Sequence, residues 1–177
     1  MAKDGQAAAV RVRPFAPADL AAMREIWNEV VDAGQAFPQE ERLTPGEAAD
    51  FFAAQSACGV AVDGAGRVLG LYILHPNNVG RCGHIANASY AVAGHARWRG
   101  AGCALVRASL EEAGRLGFRI LQFNAVAVDN APARRLYEKL GFTPLGTIPG
   151  GFRRPGGEYV DIALYWHAVG EVKPAGY

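Results

Sequence analysis

Two stretches of the chain carry residue types and spacings that can do chemistry. In the first, Tyr90-Ala-Val-Ala-Gly-His-Ala-Arg97-Trp-Arg-Gly100-Ala-Gly102-Cys103, a strand-like run breaks into a glycine-bearing loop and leads straight into helix-forming sequence. Glycines let a ligand approach the main chain closely, and a helix start offers unpaired N–H groups at the positive end of its dipole. That combination suits a pyrophosphate, although on the residues alone a plain tight turn ahead of a helix fits equally well. In the second, Asn130-Ala-Pro-Ala-Arg-Arg-Leu-Tyr137-Glu-Lys-Leu-Gly141-Phe142, the phenol of Tyr137 stands on the apolar side of a short helix. With an ordinary pKa of about 10 it stays protonated at neutral pH and can donate a proton; the same spacing also suits a core aromatic.

Residue identities set two common nucleotide patterns aside. A P-loop places Lys and then Ser or Thr after its last glycine, whereas Gly102 is followed by Cys103 and Ala104. A dinucleotide fingerprint needs a third small residue where Leu105 stands, and the strands ahead of the loop read as a hairpin. Cys58, Cys82 and Cys103 are far apart and form no CxxC pair, which fits neither a disulfide framework nor a metal site. They read as reduced core or near-core thiols, and Cys103 as a packing residue on its helix.

The elements that must position these residues follow from periodicity. Val10, Val12 and Pro14 suggest a short strand, and Pro17 to Asp32 carries Leu20, Met23, Ile26, Trp27, Val30 and Val31 at helical spacing. Thr44 with Glu47 is a capping box opening a helix through about Gln55. Gly59–Val62 and Val68–Leu74 flank Asp63-Gly-Ala-Gly66, a hairpin composition, and a further strand runs from His84 to Val92. A helix from about Gly100 to Leu116 has an apolar face of Cys103, Val106, Leu110 and Ala113 and a stop at Gly117. Ile120–Val128 is the near-continuous apolar run of a strand with neighbours on both sides. The helix begun at Asn130 ends at Gly141, and strands follow near Thr143–Ile148 and Tyr159–Trp166. Antiparallel hairpins with one strand-helix-strand crossover make an α+β, or mixed α/β, fold.

The 177 residues, net charge +1, are 50% hydrophobic and 20% charged. That balance fits a single domain, expected at 9–169 with flexible segments at 1–8 and 170–177, and argues against disorder or a general nucleic-acid or membrane-surface binder. Met1–Arg13 lacks a secretory apolar region and no apolar run reaches a membrane-spanning length, so the expected address is the cytoplasm. The 22 glycines exceed the roughly 12 that average usage of about 7% gives, so several need a turn or a close approach to explain them.

Taken together and in order, Arg97-x-x-Gly100-x-Gly102 and Asn130-x-x-Ala-x-x-Leu-Tyr137-x-x-x-Gly141-Phe142 resemble the motifs of the Gcn5-related N-acetyltransferase (GNAT) superfamily. The resemblance implies a central mixed sheet of about seven strands flanked by about four helices, with two strands splayed at a cofactor cleft. It implies acetyl-CoA as cosubstrate, no metal, and direct acetyl transfer to an amine. Tyr90, Ala91 and Val92 match the stretch whose backbone meets the pantetheine arm and polarises the thioester carbonyl. Arg97, Trp98, Arg99, Gly100, Ala101, Gly102 and Cys103 match the pyrophosphate loop, and Asn130 a cofactor-contacting asparagine that also serves as a helix cap. Tyr137 matches the tyrosine that protonates the departing thiolate. A homodimer is a further family-level expectation.

Relatives often carry a carboxylate base on the strands at the cleft, where this chain has Asn87, Ser89, Gln122 and Asn124. Gly83–Ala88, Phe123–Val126 and Ile148–Phe152 resemble the branch acting on azetidine-2-carboxylate and other proline analogues. This implies that Asn87 and Asn124 line the pocket of a small amine acceptor, with mutual hydrogen bonding between the amides as the structural alternative. A protein or peptide acceptor and a non-catalytic acyl-CoA-binding module are the competing functional readings. His84, Glu158 and Asp161 are the candidate bases elsewhere, with loss of the amine's proton to water as the alternative, and Arg153 and Arg154, among Gly150, Gly151, Gly156 and Gly157, suggest a mobile lip or, equally, a solvated surface turn.

Overall fold

The computed structural model describes residues 10–170. The expected flexible ends therefore lie, Gly170 apart, outside the described residues. The chain runs β1 (Arg11–Pro14), α1 (Leu20–Ala33), α2 (Pro45–Ala53), β2 (Ala57–Val62), β3 (Val68–Pro76), β4 (Ile85–Val92), α3 (Ala101–Arg115), β5 (Ile120–Ala127), α4 (Ala131–Lys139), β6 (Thr143–Arg153) and β7 (Tyr159–Ala168). One sheet of order β1-β2-β3-β4-β5-β7-β6 contains all seven strands. Every neighbouring pair is antiparallel except β4 with β5.

Sequence explains the local choices. Met23, Ile26, Trp27 and Val31 turn one stripe of α1 inward, where Trp27 meets Phe37 and Phe51 at ring distances of 4.3 and 4.9 Å. The Thr44–Glu47 capping box opens α2. The buried Asn28 exchanges hydrogen bonds of 3.0 and 2.8 Å with the Leu43 main chain, pinning the connection between α1 and α2. Asp63, though buried, accepts the N–H groups of Ala65 and Arg67 at 3.0 Å each and pairs with the Arg67 guanidinium; these bonds hold its carboxyl below the usual range and close the β2–β3 hairpin.

Two expectations need correction. The inward stripe of α3 is Leu105, Val106, Ser109 and Ala113, not one centred on Cys103 and Leu110, which are half-buried. Leu105 is fully buried, its methyl reaching the place where a Cβ on Gly70 of β3 would stand, so the core and not a ligand claims that position. The strand expected at Thr143–Ile148 runs on to Arg153 through a register shift. Gly150 and Gly151 therefore belong to a strand and not to a flexible rim: the Gly150 N–H donates to Asp161 Oδ1 at 2.9 Å, and a Cβ on Gly151 would stand 2.4 Å from Ile162.

The feature that makes a site is a gap. β4 and β5 pair at only Ile85↔Ile120 and Ala86↔Leu121, and then part, although β4 continues to Val92 and β5 to Ala127. Among the described residues the edge of β4 facing β5 has no strand neighbour beyond Ala86, so main-chain groups there are left for another partner.

Candidate functional site

A cleft of about 1000 Å³ opens at this gap, walled by β4, β5, the start of α3, α4 and the α1–α2 connection. Asn87, Tyr90, Val92, Arg97, Trp98, Gly100, Gly102, Cys103, Asn124, Asn130 and Tyr137 all line it. Three expected site residues do not. The side chains of Ala91 and Ala101 are packed into the core, and Arg99 is exposed away from the cleft wall.

The glycine loop has the backbone of a ligand cradle. Trp98, 84% exposed, holds φ at 65°, the one non-glycine among the described residues in the left-handed region, a conformation that costs about 1 kcal/mol or more. Gly100 follows at φ 86° and serves as the N-cap of α3 without a side chain to cap it. The first main-chain bond back into the helix is from Ala104 to Gly100 at 3.0 Å. The N–H groups of Ala101, Gly102 and Cys103 are thus free at a helix start beside the cleft. Cys103 is half-buried and lines that cleft as well.

Three tyrosines crowd the aromatic layer formed with Phe123 and Phe142, and they differ in what holds their hydroxyls. Ser109 gives its proton to the Val106 carbonyl at 2.8 Å, so the Tyr90 hydroxyl, 2.8 Å from Ser109 Oγ, is the donor of that pair. The Tyr165 hydroxyl donates to Glu138 at 2.8 Å and accepts from Arg134 Nε at 3.0 Å. Tyr137 packs its ring 4.5 Å from Phe123 and 5.7 Å from Phe142, and among the described residues its hydroxyl has no hydrogen-bond partner while it lines the cleft. Burial, then the neighbouring Tyr165, pushes its phenol well above the ordinary value. Asn130 shows the capping role, accepting the Ala133 N–H at 3.3 Å, and stands in the cleft wall as well.

On the acceptor side the amides meet. Phe123 pairs with Tyr165 and Val126 with Ala163, so Asn124 and Ala125 form a bulge that breaks the alternation of β5. Asn124 bonds reciprocally with Asn77, at 2.5 and 3.2 Å, and Asn87 also donates to Asn77, at 3.4 Å. The mutual hydrogen bonding weighed for these amides is therefore present, through a third residue that sequence reasoning passed over. Asn77 follows Pro76 beside Asn78, where its type reads only as a turn former. His84, Glu158 and Asp161 do not line the cleft. His75 does, opposite Asn87 in the β3–β4 register, and so does Asp129. Arg154 lines the cleft too, its guanidinium bonded to both Gln35 and Asp129 and its Nε buried without a partner among the described residues, while Arg153 pairs with Glu40 at 2.6 Å. These bonds make a strap of what its composition suggests is a mobile lip.

The comparisons with known proteins agree with this architecture. Residues 21–142 match the Acetyltransferase (GNAT) family. The N-acetyltransferase aca1 of Schizosaccharomyces pombe is 32% identical over 163 residues, covering 82% of this chain and 78% of that protein. A GCN5-related N-acetyltransferase from Kribbella flavida is 38% identical, with a TM-score of 0.84 over 90% of this chain and 98% of that one. A phosphinothricin acetyltransferase of the same superfamily from Sinorhizobium meliloti, solved with acetyl-CoA, is 25% identical with a TM-score of 0.85 over 94% and 93% of the two chains. The chain belongs to the GNAT family and is an acyltransferase of the acetyltransferase type. Among the described residues no helix is long and apolar enough to cross a membrane.

Proposed function

We propose that this enzyme transfers the acetyl group of acetyl-CoA directly to the amine of a small molecule, an amino acid or a proline-like analogue. The observation that carries the reading is the free hydroxyl of Tyr137, uncommitted beside a helix start whose N–H groups are also uncommitted. The start of α3 would hold the pyrophosphate, and the open edge of β4 from Tyr90 to Val92 would hold the pantetheine arm by its main chain. Tyr137 would hand its proton to the departing sulfur, and the proton lost by the attacking amine would pass to water, from which the phenolate is re-protonated. Asn130 would contact the cofactor from the far wall. The cosubstrate supplies an already activated acyl group, so transfer needs no covalent enzyme intermediate, and Cys103 has no nucleophilic task.

A small acceptor suits a cleft whose lining residues Gln35, Asp129 and Arg154 are bonded to one another across its wall. Asn87 and Asn124 would orient the acceptor. The cytoplasm is the matching address, since Cys58, Cys82 and Cys103 are all free. An amine panel with acetyl-CoA, followed by release of free thiol, tests the reading: amino and imino acids should turn over fastest, and Asn87→Ala and Asn124→Ala should slow them. A preference for peptides, or indifference of every accepted amine to both substitutions, would overturn it.

A further inference from the structure

Counting the hydrogen bonds of the amide cluster shows what it leaves open. The oxygen of Asn124 accepts from Asn77 Nδ2 at 3.2 Å and from Gln122 Nε2 at 3.0 Å, which fills both of its lone pairs. The oxygen of Asn77 accepts from Asn124 Nδ2 at 2.5 Å and from Asn87 Nδ2 at 3.4 Å, and is filled as well. One N–H is left over on each of the four amides, together with the oxygens of Asn87 and Gln122, and of the four only Asn87 and Asn124 line the cleft. The polarity is collective: turning Asn77 or Asn124 over sets donor against donor and oxygen against oxygen, and turning Asn87 or Gln122 over sets oxygen against oxygen. Asn77 is the hub because its main chain is fixed, its N–H donating to the Ile85 carbonyl at 2.8 Å just past the Pro76↔Ala86 pair. It also reaches across the splay, joining a residue of β4 to one of β5 where those strands no longer pair.

We propose that Asn77 is a positioning residue that sets Asn87 and Asn124 with one N–H each free, making a paired-donor seat for the acceptor's carboxylate. The inference rests on the small amino-acid reading above and adds a reason for it: two donors with no competing acceptor on Asn124 match a carboxylate, and the remaining Asn87 oxygen can receive an N–H of the acceptor's own amine. Asn77 touches neither substrate; it acts through its two neighbours.

The test uses the full chain with azetidine-2-carboxylate and azetidine, or, where another amino acid leads the panel, that acid and its decarboxylated amine. Asn77→Ala should raise the KM of the acid about tenfold, the size of one lost hydrogen bond, with kcat and the KM of acetyl-CoA little changed and the carboxylate-free amine unaffected. Added to Asn124→Ala, it should cost less than about twofold more, because both changes remove the same seat. Asn77→Asp keeps the accepting oxygens but puts negative charge behind the seat, so it should raise the KM of the acid further than alanine does and leave azetidine alone. An unchanged KM for the acid in both Asn77 variants, while Asn124→Ala raises it, overturns the inference and leaves the acceptor reading standing. So does an equal loss with acid and amine, which is the mark of a merely structural part. Failure of the acceptor reading itself looks different, since Asn87→Ala and Asn124→Ala would then be silent too.

Discussion

A tyrosine hydroxyl in a cleft is useful as an acid only if its proton is not already committed. Tyr90 and Tyr165 have committed theirs, to Ser109 and Glu138, and Tyr137 has not. Replacing Tyr137 with Phe should therefore lower kcat about 100-fold, at the low end of what a positioned acid contributes, with the acetyl-CoA dissociation constant within about twofold. Because burial raises the phenol pKa, the proton is retained to higher pH, and the wild-type rate should not fall between about pH 8 and about pH 10, where an unperturbed phenol begins to ionise. A decline across that window would assign the proton to another group. The thiols give a second residue-scale check. Burial pushes Cys58 up to about 12, so at pH values near 8 it should resist a thiol reagent that labels the exposed Cys82, while labelling of Cys103, in the cleft wall, should slow when acetyl-CoA is added. Mapping the modified peptides by mass reads all three. Much of the cleft was legible through the two motifs and the family resemblance they carry, from Asn87 and Tyr90 to Asn130 and Tyr137. Asn77 was not, because its value lies in what the fold sets opposite it, and a turn asparagine after Pro76 carries no periodic signal.

At the scale of an element, the start of α3 separates the two glycines of its loop. Gly100 sits at φ 86°, so Gly100→Ala should cost about 1–2 kcal/mol of stability whatever the ligand. Gly102 is different. A Cβ there would stand 3.4 Å from Leu136 and 4.0 Å from Val92, ordinary contacts, so the protein itself does not demand glycine. Gly102→Ala should stabilise the ligand-free enzyme by up to about 1 kcal/mol, since a helix disfavours glycine, and weaken acetyl-CoA by about tenfold where the methyl meets the ligand's approach. Melting curves with and without acetyl-CoA read both signs at once; a variant that binds acetyl-CoA as tightly as wild type would mean that the ligand does not approach there. The order and type of elements were readable because caps and periodicity agree, as at Thr44 and Glu47. The length of β6 was not, since Gly150 and Gly151 read as loop until Ile162 is seen to stand where a Cβ on Gly151 would be.

At the scale of the molecule, acetyl-CoA at 100 times its dissociation constant should add about 2.7 kcal/mol, roughly 5 to 10 °C in Tm for a domain of this size. Differential scanning fluorimetry measures it, and a flat response would remove the cleft from cofactor binding. The succession of seven strands along the chain followed from local patterns, but their order in the sheet, with β7 between β5 and β6, and the meeting of Gln35, Asp129 and Arg154 did not, for contacts between distant segments leave no local trace. The far end of the sheet is managed by its own sequence: β6, an edge strand with Leu145 and Ile148 exposed, carries Pro144 and Pro149 and two register shifts, devices that blunt strand addition. The near-absence of pairing between β4 and β5 has the opposite character. Only Ile85 and Ala86 stitch the parallel strands, so the sheet contains a seam in its middle, and a bound pantetheine would act there as mortar. Amide hydrogens on alternate residues of Asn87–Val92 should exchange with solvent quickly in the free enzyme and slow once acetyl-CoA is present, while those paired to β3 change little. In that sense the cosubstrate completes the sheet for as long as it is held, and each turnover ends with one of its internal joints open to water again.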